Sequence, residues 1–131
     1  MIGFVAIALA VIVAVVVFVT RGPHGTASPQ AAANAYLTAL RASDAGRLRD
    51  IADPDHDSSR EIPDRLAELG GDRLSSVTTS IDPTESDVIR AADFTGLLNG
   101  QPYTDVLWLY RHSDRWFVAL GPHRHPHPKQ T

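Results

Sequence analysis

No cysteine occurs in the 131 residues of this chain. Its absence excludes a disulfide framework, a thiolate metal site, a cysteine nucleophile and a lipid-modified N-terminal cysteine, and it leaves the redox compartment open. Basic charge is scarce as well. The 12 Lys and Arg stand against 15 Asp and Glu, a net charge of −3, so nothing resembles the basic footprint of a nucleic-acid partner. Charge of either sign is missing before Arg21, so the first 20 residues differ in kind from the rest. The remainder of the chain, about 110 residues, suffices for one ordinary domain.

The uncharged start is a hydrophobic run. Ile2 to Val19 has no polar side chain, and with its neighbours it would span about 30 Å as a helix at ~1.5 Å per residue, the thickness of a bilayer core. A cleavable signal peptide would show basic residues at its start and a shorter apolar stretch. Residues 1–20 are therefore expected to be an uncleaved transmembrane anchor, with the lipid bilayer as a partner through residues 2–19. Arg21 on its own favours a cytoplasmic side, but long domains cross largely regardless of flanking charge. A single-pass protein of the cell membrane with an extracytoplasmic domain is the expectation. Residues 21–27, Arg-Gly-Pro-His-Gly-Thr-Ala, read as a linker.

Ser28-Pro29 has the form of an N-cap followed by proline at the first helical position. Ala33, Tyr36, Leu37 and Leu40 then recur at helical spacing. Asp44 can cap a short second helix with Leu48 and Ile51, which Asp53-Pro54 should end. A third helix falls within Ser58 to Leu69 and closes at Gly70-Gly71; either a Ser58/Glu61 capping box or Pro63 marks its start. Beyond Gly71 the composition turns to β-formers. Leu74 to Ile81 and Val88 to Leu98 read as strands, and Tyr103 to Leu120 as a hairpin broken at Ser113-Asp114. Asn99-Gly100 suits a two-residue turn in which both residues take positive φ. The fold class is thus α+β: three helices packed on a four-strand antiparallel sheet over residues 28–121, with a His/Pro tail at 122–131.

Two-residue turns also set the register. They place Phe94, Leu107, Leu109, Trp116, Val118 and Leu120 on one face and Ile89, Ala91, Val106, Trp108, Tyr110 and Phe117 on the other. Three short helices can cover one face, and the aliphatic one suits Leu37, Leu40, Leu66 and Leu69. Ile89, Trp108, Tyr110 and Phe117 then form a candidate interface for a second copy or another protein.

The Ala-Ala-Ala-Asn-Ala-Tyr-Leu-Thr-Ala-Leu helix, the Asp44 to Ile51 helix and the closing Ser113-Asp114-Arg115-Trp116-Phe117-Val118 strand resemble the nuclear transport factor 2-like superfamily. They are similar, more narrowly, to small membrane-anchored actinobacterial proteins carrying such a domain. The resemblance implies a cone in which a curved sheet wraps a long helix and leaves a pocket. Members with isomerase or dehydratase activity place an Asp or His and a Tyr there, the acid-base and oxyanion-donor roles of a proton transfer. No such motif matches here residue by residue, so no catalytic residue is assigned and no cofactor is implied. Tyr36, Arg90, Asp93, Tyr103 and Asp105 have suitable side chains for a pocket. A non-enzymatic binding module is the first functional expectation, and a pocket enzyme doing acid-base chemistry on a small molecule the alternative.

Two further patterns bear on metals. Asp53, Asp55 and Asp57 alternate like the first half of a calcium loop, but Ser58 stands at the glycine position and Asp64 at the bidentate glutamate position. A solvated acidic loop is the reading. His123, His125 and His127 alternate with prolines, which suits a frayed tail better than a preformed site, so no metal is assigned.

Overall fold

The computed structural model describes residues 24–121. The expected anchor at 2–19, the linker before His24 and the tail with His123, His125 and His127 lie outside them. Among the described residues no helix is long and apolar enough to cross a membrane.

Among the described residues three helices precede the sheet, and their ends are set by the residues that the sequence offers. Helix α1 (Pro29–Ala42) begins where the Ser28 side chain accepts from the Ala31 N–H at 3.1 Å. It ends where Ser43 turns left-handed at φ 53, a conformation few residues other than glycine adopt readily. Asp44 at once caps α2 (Ala45–Ile51) by accepting from the Arg47 N–H at 2.9 Å. Helix α3 (Glu61–Leu69) starts between the two expected positions. Pro63 lies in its first turn, where no intrahelical N–H is required. The capping box does not form: among the described residues the buried Ser58 hydroxyl has no partner, while the Ser58 carbonyl accepts from Ile62 at 3.0 Å.

Four antiparallel strands follow in sequence order: β1 (Leu74–Pro83), β2 (Ile89–Leu98), β3 (Gln101–His112) and β4 (Arg115–Val118). Asn99 and Gly100 both have positive φ, as do Ser113 and Asp114, so both hairpins turn in the left-handed sense that matches strand twist. The register is the one those turns dictate: Phe94 opposite Asp105, Ala92 opposite Leu107, Arg90 opposite Leu109, and Leu109 opposite Val118.

Strand parity sorts the side chains. Ala92, Phe94, Leu107, Leu109, Trp116, Val118 and Leu120 are buried in one core with Tyr36, Leu40, Leu48, Ile51 and Leu69 of the helices. Val106 and Trp108 on the opposite face are each 47% exposed, and Ile89 and Tyr110 are half-buried. Phe117 departs from expectation. It is buried rather than exposed, because the backbone at Gly25 lies over its ring; a Cβ there would come within 2.8 Å of Phe117 Cζ.

The same N-terminal segment and the end of α2 line the free edge of β4. Thr26 and Trp116 exchange backbone hydrogen bonds of 2.9 and 2.8 Å, and the Asp53 N–H donates to the Val118 carbonyl at 2.9 Å. Residues 24–27, expected as linker, therefore belong in part to the sheet. Leu109 is fully buried at the centre of this arrangement. Leu109→Ala should lower unfolding free energy by about 2–5 kcal/mol, read from denaturant midpoints, whereas Val106→Ala on the exposed face should lower it much less.

Candidate functional site

The interior polar groups come from three elements. Tyr36 falls on the buried stripe of α1 and stacks on Phe94 of β2, centroids 5.8 Å apart. Arg65 stands three residues after Ile62 and four before Leu69, so α3 carries its guanidinium inward. It is buried. One terminal nitrogen donates to the Tyr36 hydroxyl at 2.7 Å and the other to the Gly121 carbonyl at 3.3 Å, while Nε makes no hydrogen bond among the described residues. From β3, Tyr103 and Asp105 share the inner face, and the Tyr103 hydroxyl donates to Asp105 Oδ2 at 2.7 Å.

These contacts fix protonation. Burial pushes the Tyr36 hydroxyl up, against the opposing pull of the Arg65 charge. Burial also pushes Tyr103 up, and its hydrogen bond to Asp105 adds to the effect. Both phenols therefore stay protonated at neutral pH. A proton-transfer site would also need room for a substrate. The space enclosed by Tyr36, Leu37, Leu69, Leu74, Val77, Phe94, Tyr103 and Asp105 is about 10 Å³, roughly one water molecule. A shallow groove of about 90 Å³ between α1 and β1 adjoins it, against the 300 Å³ or more typical of small-molecule pockets.

Of the five pocket residues expected from the sequence, Tyr36, Tyr103 and Asp105 meet around that space. Arg90 shares their face but lies six residues along β2 from Gly96, the partner of Tyr103. It packs over the Trp116 ring at 5.7 Å and donates to the Ile89 carbonyl at 2.8 Å. Asp93 is on the other face, beside Asp82. Sharing a hydrogen bond with that carboxylate holds Asp93 above the usual carboxylate range.

A second cluster joins distant parts of the chain. The α2–α3 connection brings Asp53 and Asp55 to His112 at the end of β3, with one donor atom from each residue within 4.8 Å of the others. Asp57, the third of the alternating aspartates, instead accepts from the Ser59 N–H at 3.0 Å, which lowers its pKa. His112 was not legible as a member, because no spacing ties position 112 to position 53. Arg65 did leave a signal: it is a charge on the apolar stripe of its helix.

The Asp82–Asp93 pair has a pH consequence. Asp93 binds its proton more tightly in the folded protein than in the unfolded chain, where the value is about 3.9. Its contribution to stability is therefore present at and below about pH 4 and is lost as pH rises through the raised folded value. Asp82→Asn should remove that decline, leaving a flatter stability profile above pH 4 in urea titrations. An unchanged slope would show that the two carboxyls do not share a proton.

No protein-family model, curated protein or solved structure matches this chain.

Proposed function

We propose that this chain is a non-enzymatic interaction module held at the cell membrane by residues 2–19, with its domain on the extracytoplasmic side. The domain is read as a nuclear transport factor 2-like cone whose interior is filled by its own side chains. The observation that carries this reading is the interior space of about 10 Å³ beside Tyr36, Tyr103 and Asp105. With no volume for a substrate in that interior space, Asp105 holds Tyr103, and Arg65 holds Tyr36, as parts of the core. Isomerase- or dehydratase-type chemistry would require α1 and β1 to part by several ångströms.

Binding then belongs to the outer face of the sheet. Val106 and Trp108 stand two residues apart on β3, both 47% exposed, with half-buried Ile89 and Tyr110 beside them. Aromatic and aliphatic side chains gathered on one face supply the apolar centre of a protein interface. A second copy of the chain, brought close by the shared membrane, is the partner proposed.

Sedimentation of the full chain in detergent tests the surface. Self-association should weaken at least tenfold in Trp108→Ser or Tyr110→Ser, with thermal midpoints little changed; a wild-type monomer, or a dimer indifferent to both substitutions, would refute it. Membrane attachment is tested separately. The chain should stay with membranes through carbonate extraction, and protease added to intact spheroplasts should remove the domain. A soluble species beginning near Ser28 would contradict the anchor.

A further inference from the structure

We propose that Asp53, Asp55 and His112 form a binding site for one divalent first-row transition ion, of which zinc is the representative. Three donors from two remote segments converge there: the loop after α2 supplies the carboxylates and the end of β3 the imidazole, all within 4.8 Å of one another. The arrangement is anchored on both sides. The Asp53 N–H is bonded to the Val118 carbonyl, and the His112 ring packs edge-on against Phe117 at 5.6 Å between centroids.

The observation that points to an ion is the state of His112 Nε2. This nitrogen is shielded from solvent and makes no hydrogen bond among the described residues, although Asp53 Oδ1 is only 3.1 Å away. Asp53 Oδ1 accepts from the Asp55 N–H at 2.9 Å, so it lies beside Nε2 without the alignment of a hydrogen bond. Donors of a common ion behave this way. Two ligands each about 2.1 Å from one metal, at cis or tetrahedral angles, are roughly 3.0–3.4 Å apart, and neither points at the other.

Charge and accessibility agree. Two carboxylates and a neutral imidazole carry −2, which a divalent ion cancels. The residue across the hairpin, Arg115, is directed elsewhere and donates to the His24 and Gly25 carbonyls at 3.1 and 3.2 Å. Asp53 is mostly covered, with 15% of its side chain exposed, and His112 shows 33%. Asp55 shows 78% and places Oδ2 3.8 Å from His112 Nδ1, so it would turn towards the Nε2 side to share an ion arriving from solvent. An imidazole with carboxylates suits zinc, manganese or cobalt, whereas calcium and magnesium favour all-oxygen shells. Three protein ligands leave the remaining positions to water.

The test uses the full chain in detergent with His123, His125 and His127 replaced by alanine, so that tail imidazoles do not contribute. Zinc chloride titrated by calorimetry should bind one ion per chain with micromolar affinity, and cobalt should give visible ligand-field absorption. His112→Gln and Asp55→Asn should each weaken binding at least tenfold. Asp55→Asn alters an exposed side chain and should leave the fold intact in the absence of metal. No saturable binding, or binding unaffected by both substitutions, would overturn the proposal and leave His112 and Asp53 as a plain charge contact. Calcium binding more tightly than zinc would overturn the assignment of ion class.

Discussion

Everything in this domain depends on the alternation of side chains along β3 and on the two turns that hold it in phase. Asn99-Gly100 before it and Ser113-Asp114 after it are both two-residue turns with positive φ, and such turns leave no slack in pairing. A slip of one residue at either turn would send Leu107 and Leu109 to water and Val106 and Trp108 into the core. The apolar helix faces would then meet the wrong surface. Glycine serves this conformation without cost, while Asn99, Ser113 and Asp114 accept it because short polar side chains tolerate left-handed backbone. The core, the exposed face and the polar groups of the interior all follow from that phase.

Local signals were legible in the sequence, and non-local ones were not. The caps at Ser28 and Asp44 and the hairpin register each depend on residues close together in the chain, so spacing and side-chain chemistry suffice to find them. The burial of Phe117 depends on Gly25, far away in sequence, and a lone glycine in an apparent linker gives no hint that its backbone will lie against a ring. The same limit separated the pocket candidates. Asp93 and Asp105 look alike as polar interruptions of apolar strands, yet parity sends them to opposite faces. His112 reads as one more polar residue beside a turn until the fold brings Asp53 to it.

The interior shows how polar groups can be buried by pairing with one another. Tyr36, Arg65, Tyr103 and Asp105 are of the types used for proton transfer, but each hydroxyl and much of the guanidinium is engaged by another side chain or by the backbone. Buried polar atoms cost free energy unless they are paired. Pairing them with each other, in a space the size of one water, makes them determinants of a single packing arrangement. The chemistry of a side chain is thus a weaker guide than the volume around it.

Thr26 and Trp116, which exchange backbone hydrogen bonds, are 90 residues apart in the chain. Closure of the β4 edge therefore waits for nearly the whole domain to emerge, since contacts of such sequence separation form only after a large loss of chain entropy. Synthesis proceeds at about 5–20 residues per second, so the helices and the first strands exist for several seconds before the strand that completes the sheet is available. The sheet edge is complete only once the first and last segments of the domain are both present.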